Sequence, residues 1–279
     1  MIALLEYAFF RQALYAALFA GVACGVIGVY VVVKKFSFIS GGIAHCALGG
    51  VGVGYFLGIN PMLTVLPFSI LSAVGMGMLS RGKKVSEDAA VSIFWAAAMA
   101  LGIVFAGLRA GYTPDFFGYL FGNILTVSVE DLWLMAFLDI TILLATTFLY
   151  KEFLAFSFDE EYAEATGMPV KIVQTILLCL IALTIVVLLR IVGIVLVIAL
   201  LTIPGVIAKQ WTFHLGKMML IAVALSIVFT VAGLYLSYVF DIASGATIIL
   251  VATFGFFLSW PLRRVFADNA GELKNKKPA

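Results

Sequence analysis

The chain has 279 residues, of which 64% are hydrophobic and 11% charged, whereas a soluble globular domain carries roughly a quarter charged residues. That composition excludes an ordinary soluble fold and predicts an all-α, polytopic membrane protein. A net charge of +2 is too small to argue for nucleic acid and leaves the lipid bilayer as the chain's medium.

The first apolar run, near 12–33, is longer than the apolar core of a signal peptide and ends at Lys34-Lys35, so it reads as a retained first span. Further runs of about 20 apolar residues, the length that crosses a bilayer, fall near 39–58, 61–80, 89–107, 130–149, 171–189, 191–208, 217–237 and 244–261. The sixth and seventh are the hardest to separate. Residues 172–205 form one apolar run interrupted only by Arg190. As a single helix it would be roughly 51 Å long at 1.5 Å per residue, too long for one crossing. A turn near Arg190 or a re-entrant half-helix is required, and the count is eight or nine transmembrane helices.

With nine spans, Lys34, Lys35, Arg81, Lys83, Lys84, Lys151, Lys171, Lys209 and Lys217 all fall on one side, which the positive-inside rule makes cytoplasmic. Arg109, Asp115 and Asp241 then face out. Residues 1–262 read as one transmembrane domain. Residues 263–279, polar and lysine-rich, read as a flexible cytosolic tail.

Between the fifth and sixth spans lies a short acidic insert, residues 157–169. Ser157 is placed to cap a helix, with Glu160 three residues on to close a capping box. Asp159, Glu160, Glu161 and Glu164 suit the positive end of the helix dipole, and Gly167 and Pro169 supply stop signals. A capped amphipathic helix between spans reads as a surface for another protein.

Ionisable groups inside spans cost about 2.5–3.5 kcal/mol each on insertion scales and default to functional candidates. His45 lies mid-membrane in the second span, on a stripe with Gly41 and Gly49; Gly42, Cys46, Gly50 and Gly54 form the adjacent stripe. Imidazole is the commonest biological metal ligand, and Cys46 would be a soft one. The plainer alternative is a histidine hydrogen-bonded across a helix interface. Asp139 lies near the middle of the fifth span; it is either a substrate contact or a carboxyl paired with a neighbouring helix. His214, near Lys209 and Lys217, reads as a cytoplasmic surface residue. Cys24, Cys46 and Cys179 all fall in apolar runs without a CxxC pair, so no disulfide framework or zinc knuckle is predicted. There is no Gly-x-x-x-x-Gly-Lys-Ser/Thr loop and no visible catalytic constellation, which argues against an enzyme.

Several stretches together resemble one family. They are Gly25 to Lys35 with Phe38 and Ala44-His45, Tyr119 to Leu125, Phe158 to Val170, Leu189 to Gly193, Ala199 to Pro204, and Gly233 to Tyr238 followed by Asp241 and Ser244 to Thr247. Over about 17–261 the chain resembles the permease subunit of ATP-binding-cassette importers for zinc, manganese or iron, with a type II importer permease fold. The resemblance implies a permease domain over 1–262 in a prokaryotic cytoplasmic membrane, paired with itself or with a similar permease. It implies ABC ATPase subunits docked on Asp159, Glu160, Glu161, Glu164 and Gly167. An extracytoplasmic metal-binding protein completes the assembly. ATP is used by the partner, and the chain binds no cofactor of its own. His45 is the implied metal contact. Family members often carry an aspartate four residues earlier, where this chain has Gly41, so that carboxylate is lost; Cys46 then tilts the cargo towards zinc. The competing readings are a proton-coupled secondary metal transporter with Asp139 and His45 as relay, a siderophore- or cobalamin-type permease, and a membrane scaffold without transport.

Overall fold

In lipid, a spanning segment must satisfy its own backbone N–H and C=O groups, so long apolar runs fold as helices. The computed structural model describes residues 6–80, 86–109 and 116–275, and every regular element among them is helical. The helices are α1 (Ala8–Lys34), α2 (Ser37–Leu57), α3 (Pro61–Ser80), α4 (Glu87–Leu108), α5 (Phe116–Phe121), α6 (Val129–Phe148), α7 (Tyr150–Phe158), α8 (Glu160–Ala165), α9 (Val170–Trp211), α10 (Leu215–Phe240) and α11 (Ser244–Asn275). A 3-10 turn, Ile124–Thr126, precedes α6.

Among the described residues, eight helical segments are long and apolar enough to cross a membrane. They are α1 to α4, α6, Val170–Leu189, α10 and Ser244–Pro261. A shorter apolar helix, Val197–Trp211, forms the second arm of α9. Gly193 separates the two arms, with φ 73° and ψ 171°, a conformation open to glycine and strained for other residues. The break therefore falls three residues after Arg190, whose side chain lies outside the described residues.

Packing shows that α9 doubles back. A Cβ on Gly193 would meet Leu120, Phe121 and Gly122, beside the 3-10 turn where the Ile124 N–H donates to Ser244 Oγ. This is the end where α10 finishes and α11 begins. The second arm then returns along α1, with Leu201 against Gly28 and Gly205 against Gly28 and Val32. Helix α10 runs antiparallel to α1, because Gly21 abuts Ile227 and Gly25 abuts Val223. Lys34, Lys151, Lys171, Lys209 and Lys217 consequently gather at one end of the bundle, as the positive-inside reading requires. Arg81, Lys83, Lys84 and Asp115 lie outside the described residues. So do residues 276–279 and the side chains from 262 to 275, on which the expected tail falls.

α1 sits against α6, α9 and α10, and α2 against α3, α4 and α9. Glycines of α2 are met closely by neighbouring helices. Gly42 meets Val91 and Met76, Gly50 meets Val65, and Gly52 meets the backbone of Gly102. Small residues let helix backbones approach this closely in lipid.

Candidate functional site

Two places carry the candidate residues: the middle of α2, and the insert at the lysine-rich end.

His45 is eight residues into α2, about 12 Å from its start at 1.5 Å per residue. Its imidazole lies flat on the Trp95 indole of α4, with ring centroids 4.0 Å apart and planes 14° from parallel. Trp95 is itself anchored, with Nε1 donating to Met99 Sδ at 2.8 Å. Nδ1 of His45 is buried with no hydrogen-bond partner, so the hydrogen-bonded interface histidine considered from sequence is not formed through that nitrogen. The ring as a whole is half-buried.

Cys46 does not share this environment. It is fully buried and hydrogen-bonded with Ser72 of α3, one helix away from the face that meets Trp95. Asp139 is not brought to His45 either. It is 4% exposed on α6, with both carboxylate oxygens unpartnered and Cys24 of α1 within electrostatic range. Among the described residues no group of three His, Cys, Asp or Glu side chains could hold a metal ion. A cation at His45 would need water or a second chain to complete its ligands. Gly41, one turn before His45, is covered by Ile198 of α9. His214 is exposed at the N-terminus of α10, and its N–H donates to Thr212 Oγ1.

The insert differs in detail from the sequence reading. Ser157 does not cap it. That residue belongs to the end of α7, with a buried and unpartnered Oγ. The N-cap of α8 is Asp159, whose carboxylate accepts from the Tyr162 N–H at 2.9 Å. α7 runs on to Phe158, so the chain leaves the helical conformation only at Asp159, with φ −148° and ψ 94°. A capping box does occur in the chain, at Ser128 and Asp131 at the start of α6.

The C-terminal end is as expected. Gly167, at φ 83°, donates to the Glu164 carbonyl, and the Met168 N–H donates to the Ala163 carbonyl. This is a Schellman closure, which needs a left-handed residue at the glycine position.

Glu160 closes no box. Its Oε2 accepts from Lys34 Nζ at 2.7 Å, across 126 residues of sequence. The same ammonium donates to the Phe156 carbonyl at 3.1 Å and stands 3.8 Å from the centroid of the Phe156 ring. Phe158, Glu161, Tyr162 and Glu164 remain exposed. α8 thus presents two carboxylates and the Tyr162 ring outward, with the Phe158 ring exposed at the end of α7, while one carboxylate is held by α1. No sequence signal links Lys34 with Glu160, because a long-range ion pair leaves no periodicity. The same holds for Trp95 beside His45.

The chain matches the model of the ABC 3 transport family over residues 6–262. It is 45% identical over 95% of its length, and 94% of the relative's, to "Uncharacterized membrane protein slr2045" of Synechocystis. It is 36% identical over 98% of its length to "Manganese transport system membrane protein MntC" of Listeria monocytogenes, covering 96% of that protein. Among solved structures, a chain of PsaBC from Streptococcus pneumoniae, determined in complex with a Fab, superposes with a TM-score of 0.84 at 30% identity. The match covers 93% of this chain and 95% of that one.

Proposed function

The chain belongs to the ABC 3 transport family, and from that premise we propose that it is the permease of an ATP-driven importer whose cargo is manganese. In this reading the chain is a multi-pass protein of a bacterial cytoplasmic membrane. It receives the ion from an extracytoplasmic binding protein and passes it along a path shared with a second permease. Closure of ATPase subunits on the insert supplies the work. The chain itself is a transport permease and not an enzyme.

The observation that carries the reading is the insert. A short helix, capped by Asp159 and closed by Gly167, sits at the lysine-rich end of the bundle and exposes Glu161, Tyr162 and Glu164, with Phe158 exposed at the end of α7 before it. Such a surface fits a protein partner better than lipid, since aromatic rings are enriched at interfaces. Manganese is favoured over zinc on two grounds. Similar proteins in Listeria monocytogenes and Halalkalibacterium halodurans are manganese transport system membrane proteins. Cys46, the soft ligand that pointed to zinc, is turned to Ser72 on α3, and a site without thiolate suits a harder ion. A proton relay through His45 and Asp139 has no support in the packing, since one meets α4 and the other α1.

The test is uptake by the complex reconstituted in vesicles, with manganese, zinc and iron compared at equal free concentration. ATP-dependent uptake with manganese preferred is expected, and His45→Ala should reduce it while assembly with the ATPase persists. Uptake driven by a proton gradient without any ATPase would overturn the reading.

A further inference from the structure

We propose that Lys34 is a positioning residue that ties the insert to α1, so that displacement of α8 is passed through α1 to the level of His45. The proposal rests on the reading that residues 157–169 dock an ATPase.

The Lys34 side chain is 12% exposed, and its ammonium is held by three groups at once: Glu160 Oε2, the Phe156 carbonyl and the Phe156 ring. The acceptors lie on both α7 and α8, so one cation bridges the break between them at Asp159. Each contact alone is small, about 0.2–1 kcal/mol for a half-exposed ion pair and about 0.5–2 kcal/mol for a cation over an aromatic face. Their convergence on the last residue of α1 is what matters. Lys35, the next residue, is left-handed at φ 62° and ends the helix, so Lys34 is the last helical residue through which a push can enter α1.

From α1 the contact continues. Gly28 abuts the backbone of Leu201 in the second arm of α9, and Ile198, nearly one turn earlier in that arm, covers Gly41. Gly41 lies one turn before His45 on α2. The route from insert to histidine therefore runs Glu160, Lys34, Gly28, Leu201, Ile198, Gly41. Over this stretch α9 packs on α1 at Gly28 and Val32, and α10 holds α1 beyond it at Gly21 and Gly25.

The experiment uses the full permease–ATPase complex in vesicles and reads manganese moved per ATP hydrolysed. Lys34→Met should leave the ATPase bound and hydrolysing but lower that ratio about two-fold to thirty-fold, the range that fits coupling residues. Lys34→Arg keeps a cation able to donate to both oxygens and to stack on Phe156, and should retain the ratio. Glu160→Gln should repeat the loss and replaces Lys34→Met if that variant fails to assemble. A merely structural role would lower yield and leave the ratio alone. An unchanged ratio in an assembled Lys34→Met or Glu160→Gln complex overturns the proposal. A cross-link to the ATPase from Ala165→Cys, exposed on α8 and outside the acids assigned to docking, separates the two failures. If it forms and the ratio is unchanged, only the role of Lys34 fails; if it does not form in the otherwise wild-type complex, the docking reading fails and the proposal with it.

Discussion

The imidazole of His45 is stacked on the indole of Trp95, at 4.0 Å and 14°, while the thiol of the adjacent Cys46 meets Ser72 on another helix. Neighbours in sequence thus face different partners. The candidate metal contact is an isolated imidazole braced by an aromatic plane.

Removal of that plane should matter for transport. An aromatic pair contributes about 0.5–1.5 kcal/mol beyond its buried area, so Trp95→Ala is expected to lower manganese uptake by about two-fold to twelve-fold. Trp95→Phe, which keeps a ring against His45, should lose less. Initial uptake rates in vesicles over a manganese series check both. Equal rates in Trp95→Ala and wild type would leave the stack without a role in translocation.

Gly41→Asp should strengthen metal retention. A carboxylate four residues before His45 shares its helix face, and a hard oxygen ligand suits manganese. The new Cβ would meet the Ile198 side chain, 2.6 Å from Cδ1 and 3.3 Å from Cγ1, and that flexible end can shift. Tighter manganese binding by the purified variant, followed by calorimetry or electron paramagnetic resonance, is expected together with slower release and slower turnover. If binding is no tighter, position 41 does not face the cargo.

The acids of the insert should separate by role. Glu161 and Glu164 are exposed, and Glu160 is engaged by Lys34. Glu161→Lys is expected to weaken ATPase co-purification while the permease keeps its thermal midpoint. Asp159→Ala removes the N-cap of α8, a change that costs about 0.5–2 kcal/mol of helix stability, and should weaken co-purification through disorder in the insert. If ATPase recovery is undiminished in both variants, this surface is not where the partner grips.

Asp139 should prove dispensable. Its carboxylate has no partner and is buried between apolar helices, where an unpaired polar group is costly. Asp139→Leu is expected to raise the thermal midpoint in detergent and leave manganese uptake unchanged. A loss of uptake in a well-folded variant would instead give Asp139 a part in translocation.

How much of this was legible in the residues follows from what is local. The span boundaries were readable because the transfer free energy of an apolar run is a sum along the chain; Pro61–Ser80 and Leu215–Phe240 fall where hydropathy puts them. The end of α8 was readable too, since Gly167 meets a backbone requirement within four residues. Its start was not. Ser157 and Glu160 fit the capping box, but α7 runs through Ser157 to Phe158, so the cap falls on Asp159. The break in α9 was readable as a necessity of length, but its position at Gly193 depends on the close packing of Leu120 to Gly122. The helix rotations were invisible. These helices are apolar on nearly every side, so no polar face shows which way each is turned, and backbone-close packing decides it instead. The sequence by itself determined that the chain is an all-helical membrane protein with a capped acidic insert and a histidine at mid-span. Only the tertiary structure decided that the histidine rests on Trp95, that Cys46 and Asp139 are turned elsewhere, and that Lys34 holds the insert, because each is set by contacts between helices distant in the chain.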